Sequence, residues 1–535
     1  MRPLSFAGAT VAGLLAPLST TPSLVPRAAV IQGLLLALLA GLSYAGGAGL
    51  GWLIRGLRRQ PDWRAPVIIR RIGIAVALLW LLAWLWLGLY WQQELTQLVG
   101  NESPDISWML VTVLVAALLS LLLLLIGRGI RRLFLGLDRW LATQVDAIAA
   151  HGITVAVAIL LLIPLVTGWA LTGIVAAFNP LFQQMNAAGT DEPPPTSAVV
   201  SGGPDSAVTW ENLGADGRQF VSNAPTPAQI ADFTEETAIP PIRVFVGFES
   251  APTPQQRAEL ALAELQRFGA FDRDVLAVGT STGTGTVDES GIQPLEYMYN
   301  GDTATVATQY SILPSFLSFL LDQQAAADEA IALFQTVHDY WTTLPVDDRP
   351  RLVIFGESLG AFGATAPFSD LDQLTAEVDG ALLVGPPNGT PFWNRYTNER
   401  ESNSPEIQPV YDDGRNLRWA NTPTALDEPA TTWSSPRIAY LQNASDPVVW
   451  WAPELLWSQP DWLAEPRGPG VLAQVSWWPL ITFVGVSGDM IDSQSVPAGF
   501  GHVYGYTEAA AWARVLPPPG WTATDTPALV ERFGG

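Results

Sequence analysis

Residues 356–360 read Gly-Glu-Ser-Leu-Gly, a G-x-S-x-G pentad between the apolar run "RLVIF" and the small and apolar "AFGATAPF". A serine hydroxyl becomes a nucleophile only when a base takes its proton, an acid orients that base, and N–H donors receive the developing oxyanion. Ser358, on a strand-to-helix turn, would present its hydroxyl for that chemistry. The chain offers three histidines as base. His151 stands at the foot of an apolar segment, and His338 lies in the helical pattern "LFQTVHDYW" ahead of the serine. His502 follows the serine, in the glycine-rich "GFGHVYG", and is the base this reading selects. Many carboxylates lie between the two. Asp446, in "YLQNASDPVV", directly follows an expected strand and precedes a proline that ends it. Asp489 and Asp492 come one expected strand later, and Asp412 and Asp413 occupy the turn "YDDG". The resulting order Ser358, Asp446, His502 is that of a nucleophile elbow with its acid and base. The Leu359 N–H is the expected first oxyanion donor, and Phe248, after the first strand, the expected second. Glu357 reads as a structural or hydrogen-bonding neighbour. The scheme calls for no cofactor and no metal, and a chain without cysteine excludes disulfides, thiol nucleophiles and thiolate metal sites.

These residues need a scaffold that aligns strand ends. Stretches 241–248, 274–282 and 351–356 read as strands, and apolar runs closed by Gly, Pro or Asp follow at 378–387, 437–448 and 479–488. Between them, 252–269 reads as an amphipathic helix with a Pro-containing start and a Gly stop, and 303–321 and 323–341 also read as helical. Strands alternating with helices predict an α/β domain with a mostly parallel sheet covered on both faces. The glycine-rich "GTSTGTGTVD" (279–288) lacks lysine and the spacing of a phosphate-binding loop, so it is expected to line the pocket. Residues 450–478 carry six tryptophans, break the alternation and read as an insertion near the carboxyl ends of the strands.

The first part of the chain has a different composition. Residues 1–178 carry a formal charge of +6 and the remainder −29, giving −23 over 535 residues. All 27 basic residues are arginine. A strongly acidic soluble part disfavours nucleic acid as a partner, because phosphate binding needs positive charge. Segments 28–54, 72–91, 106–126 and 153–178 are apolar over about the ~20 residues that cross a bilayer. Arginines crowd the connections 55–71 and 127–152, while 92–105 has none. Arginine-rich short loops stay cytoplasmic, so everything after residue 178 is expected outside, and parity then favours 4–24 as a fifth span over a re-entrant or signal-like segment. The domain plan is a transmembrane helical region over 1–178, a proline-rich linker over 179–206, and an α/β domain over 207–535 in contact with membrane lipid through its helical anchor.

Several short stretches together carry a family resemblance. They are "TPSLVPR" (21–27), "ELQRFGAFDR" (264–273), "STGTGTVD" (281–288), "GDTATVATQYSILPS" (301–315), "FGESLG" (355–360), "DGALLVGPP" (379–387) and "VYDDGR" (410–415). In these the chain resembles a bacterial, mainly actinobacterial, family of membrane-anchored α/β-hydrolases with an N-terminal helical membrane region. The resemblance covers nearly the whole chain, and it departs from the usual aromatic after "TGTG", where Thr286 stands. It implies the α/β-hydrolase fold and a serine-based triad. The expected activity is hydrolysis of an acyl ester, of a lipid or other acylated envelope substrate, through an acyl-serine. The alternatives are acyl transfer by the same triad and a non-catalytic binding or scaffold role at the envelope.

Overall fold

Seven strands form one wholly parallel sheet: β1 (Ile242–Val246), β2 (Val275–Thr280), β3 (Thr303–Thr308), β4 (Arg351–Glu357), β5 (Gly380–Val384), β6 (Leu417–Ala420) and β7 (Arg437–Leu441). Their order is β1-β3-β2-β4-β5-β7-β6. The computed structural model describes residues 5–58, 67–166, 169–189, 191 and 193–534. Every residue of β1, β2, β3, β5 and β6 is buried, as a sheet with helices on both faces requires. The sheet belongs to a unit made of Val175–Trp450 and Ala498–Gly535. A second unit combines Met1–Ile174 with Trp451–Pro497.

Two expectations about the sheet are corrected, and one strand, β6, matches no expected run. Residues 303–308 form β3, hydrogen-bonded on both sides, and only Ser315–Leu321 of the expected helix 303–321 is helical. The short β6 lies at the sheet edge beyond β7. The run 479–488 is no strand but the helix Ile481–Asp489, which belongs to the other unit.

In that other unit, α1 (Phe6–Leu15) continues into a 3-10 turn (Ala16–Thr20), followed by α2 (Ala29–Arg58), α3 (Val67–Val99), α4 (Ile106–Leu141), α5 (Ala147–Val166) and α6 (Trp169–Asn186), which crosses the boundary between the units. Among the described residues, three stretches are long and apolar enough to cross a membrane, Ala29–Gly51, Arg71–Val99 and Ile106–Leu141. Phe6–Thr20 and Ile148–Ala158 are shorter apolar helices. Even so, α1 reaches deep. The Ser5 N–H donates to Tyr44 Oη (3.1 Å), while the Thr20 hydroxyl donates to the Trp84 carbonyl (2.9 Å). Tyr44 stands 15 residues into α2, so at 1.5 Å per residue the first segment descends roughly 22 Å along it. The expected span 153–178 is divided between α5 and α6, and residues 4, 59, 64, 167 and 168 lie outside the described residues.

The helix Ile481–Asp489 and the turn after it pack with these helices, through a buried polar network centred on Arg27. Its Nε donates to Asp489 Oδ1 (2.6 Å) and its Nη1 to the Ser19 carbonyl (3.1 Å) and Gln32 Oε1 (3.2 Å). The Leu24 N–H donates to Asp489 Oδ2 (3.0 Å) and the Ala28 N–H to Asp492 Oδ2 (2.9 Å), at the start of α2, where a carboxylate also meets the positive end of the helix dipole. Gly488 is pressed against Leu35, so closely that a Cβ would come within 2.5 Å of Leu35 Cδ1. Of the six tryptophans, Trp450 and Trp462 are buried, whereas Trp457 and Trp478 are exposed.

Candidate active site

The β4 strand ends at Glu357, and the helix Leu359–Thr365 begins one residue after Ser358. Ser358 joins them at φ 54° and ψ −124°, a backbone region that non-glycine residues occupy at a cost of ~1–3 kcal/mol and that clusters at functional turns. The flanking glycines make the turn possible. A Cβ on Gly356 would lie 2.3 Å from the Gly360 carbonyl oxygen, and one on Gly360 would lie 2.3 Å from the Thr280 carbonyl oxygen. Both clashes are with backbone, which cannot swing aside. Gly360→Ala is therefore expected to destabilise the sheet unit by about 3 kcal/mol, read as a lower midpoint in chemical denaturation; an unchanged midpoint would contradict this packing.

The Ser358 N–H donates to the Val384 carbonyl (2.8 Å), which ties the turn to the end of β5. Against the next residue, Gly385, lies the imidazole of His502; a Cβ there would come within 2.7 Å of its Cε1. His502 Nδ1 is 2.7 Å from Asp446 Oδ2, with Asp446 fully buried and His502 nearly so. Asp446 follows β7, and β5 lies between β4 and β7 in the sheet. The acid and the imidazole thus meet over the ends of adjacent parallel strands, where ligands gather in open α/β sheets. Asp446 is also held by the Val448 N–H on Oδ1 (2.8 Å) and the Tyr504 hydroxyl on Oδ2 (2.6 Å). Burial and the Asp446 charge push the Tyr504 phenol well above its usual range, so it stays a donor. Asn443 pins the histidine loop from below, its Nδ2 donating to the carbonyls of Gly501 (3.0 Å) and Val503 (3.3 Å).

The other candidates are engaged elsewhere. His338 stacks between Phe334 and Trp341 on the helix Gln323–Thr343. His151 is exposed beside Asp138. Asp489 and Asp492 bind the segment 24–28 as described, and Asp412 and Asp413 lie in a 3-10 turn.

The Leu359 N–H finds no acceptor among the described residues. Phe248 is a correction. Its N–H donates to Gln309 Oε1 (3.0 Å), and in the sheet order β1 stands three places from β4, about 14 Å at ~4.8 Å per strand. The loop beside the elbow is the one after β2, beginning at Ser281, whose hydroxyl donates to the Thr308 carbonyl (2.7 Å). Its glycine-rich continuation is closed by a Thr282–Thr286 bridge and a Gly283 N–H to Tyr310 Oη bond (2.7 Å).

Glu357 is partly exposed, and it faces acids. Burial, then the neighbouring carboxylates of Asp288 and Asp446, push its carboxyl well above the usual range. Tyr504, Asn443 and Asp288 are residues that sequence reasoning did not single out; no local pattern marks them, because their partners are remote in the chain.

Residues 242–529 match the model of an alpha/beta-hydrolase family, and residues 20–225 match the model of that family's N-terminal region. No curated protein and no solved structure matches the chain.

Proposed function

Since the chain belongs to the alpha/beta-hydrolase family, we propose that it is a serine hydrolase that cleaves an acyl ester through an acyl-serine intermediate. The observation that carries this reading is the 2.7 Å contact between His502 and Asp446, closed over the residue next to the one that holds the Ser358 N–H. In this scheme Ser358 Oγ attacks the acyl carbonyl carbon as His502 Nε2 takes its proton, while Asp446 keeps the other ring N–H in place and stabilises the imidazolium. The oxyanion receives the Leu359 N–H and a donor from the loop that opens at Ser281. Collapse of the tetrahedral intermediate expels the alcohol, which takes the proton from His502. Water, deprotonated by the same imidazole, then releases the acid and restores Ser358.

A lipid-like substrate is favoured by the path of the chain. The segment 451–497 begins five residues after Asp446 and ends five before His502, and it packs with the membrane helices. The acid and base loops are thus both continuous with a segment anchored at the membrane. Purified full-length protein in detergent, given short and long p-nitrophenyl esters with and without a sugar acceptor, tests the assignment. Release of free acid with a preference for long chains is expected. A transfer product dominating over free acid would reassign the chain as an acyltransferase, and no labelling of Ser358 by a fluorophosphonate would leave a binding role.

We further propose that the anchor crosses the membrane five times and leaves the hydrolase unit outside the cell, because the arginine-rich connections 55–71 and 127–152 favour the cytoplasm. A reporter fused after Gly535 that is active only in an extracytoplasmic compartment is expected; activity only in the cytoplasm would reverse the topology.

A further inference from the structure

Behind the Ser358 turn, three carboxylates from distant parts of the chain converge. Asp288 closes the glycine-rich loop and caps the helix Glu289–Met298, its Oδ1 accepting the Ser290 N–H (2.6 Å). Glu357 is the residue before Ser358. Glu508 lies in the first turn of the helix Tyr506–Val515. One oxygen from each lies within 4.8 Å of the other two.

Glu508 is the decisive member. It is fully buried, and neither of its carboxylate oxygens has a hydrogen-bond partner. Its Oε2 is directed at Gly291, where a Cβ would come within 2.8 Å of it. The charged groups that act on Glu508 are Asp288 and Glu357, and those that act on Glu357 are Asp288 and Asp446, all of them acids. A fully buried carboxylate without a donor or a counter-charge is costly, so the group of three is completed by something positive.

Protons and a metal ion make different demands on geometry. A proton shared between carboxyls needs two oxygens at about 2.5–2.7 Å. Glu508 makes no such contact, so a proton on it would be a buried donor without an acceptor, which is itself costly. A cation bonded to each carboxylate at ~2.3–2.6 Å instead holds oxygens apart by up to about twice that length, which separations of at most 4.8 Å allow. Partial exposure of Asp288 and Glu357 leaves a way in for the ion and for the waters that complete its shell.

We propose that Asp288, Glu357 and Glu508 bind one divalent cation behind the nucleophile turn, with calcium preferred. An all-oxygen, anionic donor set selects hard cations, and calcium tolerates an irregular shell that mixes carboxylates with water. The ion neutralises the buried Glu508, fixes Glu357 at the end of β4 and thereby steadies the turn that carries Ser358. It contributes no nucleophile. This site stands whether or not Ser358 is catalytic.

The test uses full-length protein in detergent, stripped with chelator and then titrated separately with Ca²⁺, Mg²⁺ and Mn²⁺, with bound metal measured by elemental analysis and stability by thermal unfolding. One Ca²⁺ per chain and a saturable rise in melting temperature are expected. Glu508→Gln should weaken Ca²⁺ binding by ~100-fold, and Asp288→Asn, which keeps an N-cap oxygen for Ser290, should do the same. Should both variants fail to fold, Tb³⁺ luminescence on the stripped wild type, displaced by Ca²⁺, reads the site directly. Absence of bound metal and of any thermal shift with all three ions would overturn the proposal, most clearly if infrared spectra show a protonated-carboxyl band in the wild type that Glu508→Gln removes. Unchanged affinity in the folded variants would overturn it equally. None of these readouts depends on esterase activity, so failure of the site and failure of the hydrolase assignment are distinguishable.

Discussion

Ser358→Ala and His502→Ala are each expected to lower turnover by on the order of 10⁶, and the double variant by little more. The reason is that the hydroxyl and the imidazole act as one unit: without the base the serine is a weak nucleophile, and without the serine the base has nothing to activate. Asp446→Asn should cost less, on the order of 10⁴, because the nucleophile and base remain while the ring loses its orienting charge. Tyr504 and the Val448 N–H would still hold the amide in place, so the loss would report charge and tautomer rather than collapse of the loop. His338→Ala is expected to leave turnover near the wild-type value, since that ring is stacked within its own helix. Steady-state turnover of a p-nitrophenyl ester, with circular dichroism as a check on folding, decides the matter. Additive losses in the double variant, or a His338→Ala loss as large as that of His502→Ala, would sink the assignment.

The sequence reading and the structure agree where a residue's role is local, and they part where it depends on a neighbour remote in the chain. Runs such as "IRVFV" and "GALLV" carry enough branched apolar side chains to read as buried strands, and they are β1 and β5. The Ser358 turn was readable because its glycines are demanded by backbone contacts within the pentad and with Thr280. By contrast β3, "TATVAT", holds small residues and threonines whose pattern does not distinguish it from the polar start of a helix; pairing with β1 and β2 on either side decides it. The run at 479–488 is equally ambiguous by periodicity. It becomes a helix that packs on Leu35 and Arg27.

The oxyanion donor shows the limit most plainly. Order along the chain makes Phe248 the residue after the first strand, but adjacency in a parallel sheet is set by crossovers, and here β2 and not β1 lies beside β4. The same holds for the acids. Asp446, Asp489 and Asp492 each follow an apolar run before the histidine, and only the proline after Asp446 marks it out locally. Their partners separate them: His502 for the first, and the segment 24–28 for the other two. Asp288, Glu357 and Glu508 meet only once the sheet has formed, so no spacing rule could have joined them.

Arg27→Ala is expected to destabilise the N-terminal helical unit by about 3–5 kcal/mol, the usual cost of leaving one member of a buried ion pair alone. The two members are not equivalent. Without Arg27, Asp489 keeps only the Leu24 N–H among the described residues, whereas without Asp489, Arg27 still donates to the Ser19 carbonyl and Gln32. Asp489→Ala should therefore cost less than Arg27→Ala, and the paired replacement Arg27→Met with Asp489→Leu less than the sum of the two singles. The pH dependence has a definite sign. Burial already raises the Asp489 carboxyl above its ordinary value despite the pull of Arg27, and removing Arg27 raises it further. A carboxyl whose folded pKa exceeds its unfolded value of ~3.9 binds more protons when folded, so stability falls as pH rises through that window. The deficit of Arg27→Ala relative to the wild type should be smallest near pH 4 and widen toward neutrality. Thermal unfolding in detergent across pH, with limited proteolysis of segment 451–497 as a local readout, measures both effects. A deficit within ~0.5 kcal/mol of zero, or one that shrinks as pH rises, would show that Arg27 does not hold Asp489 as a charge.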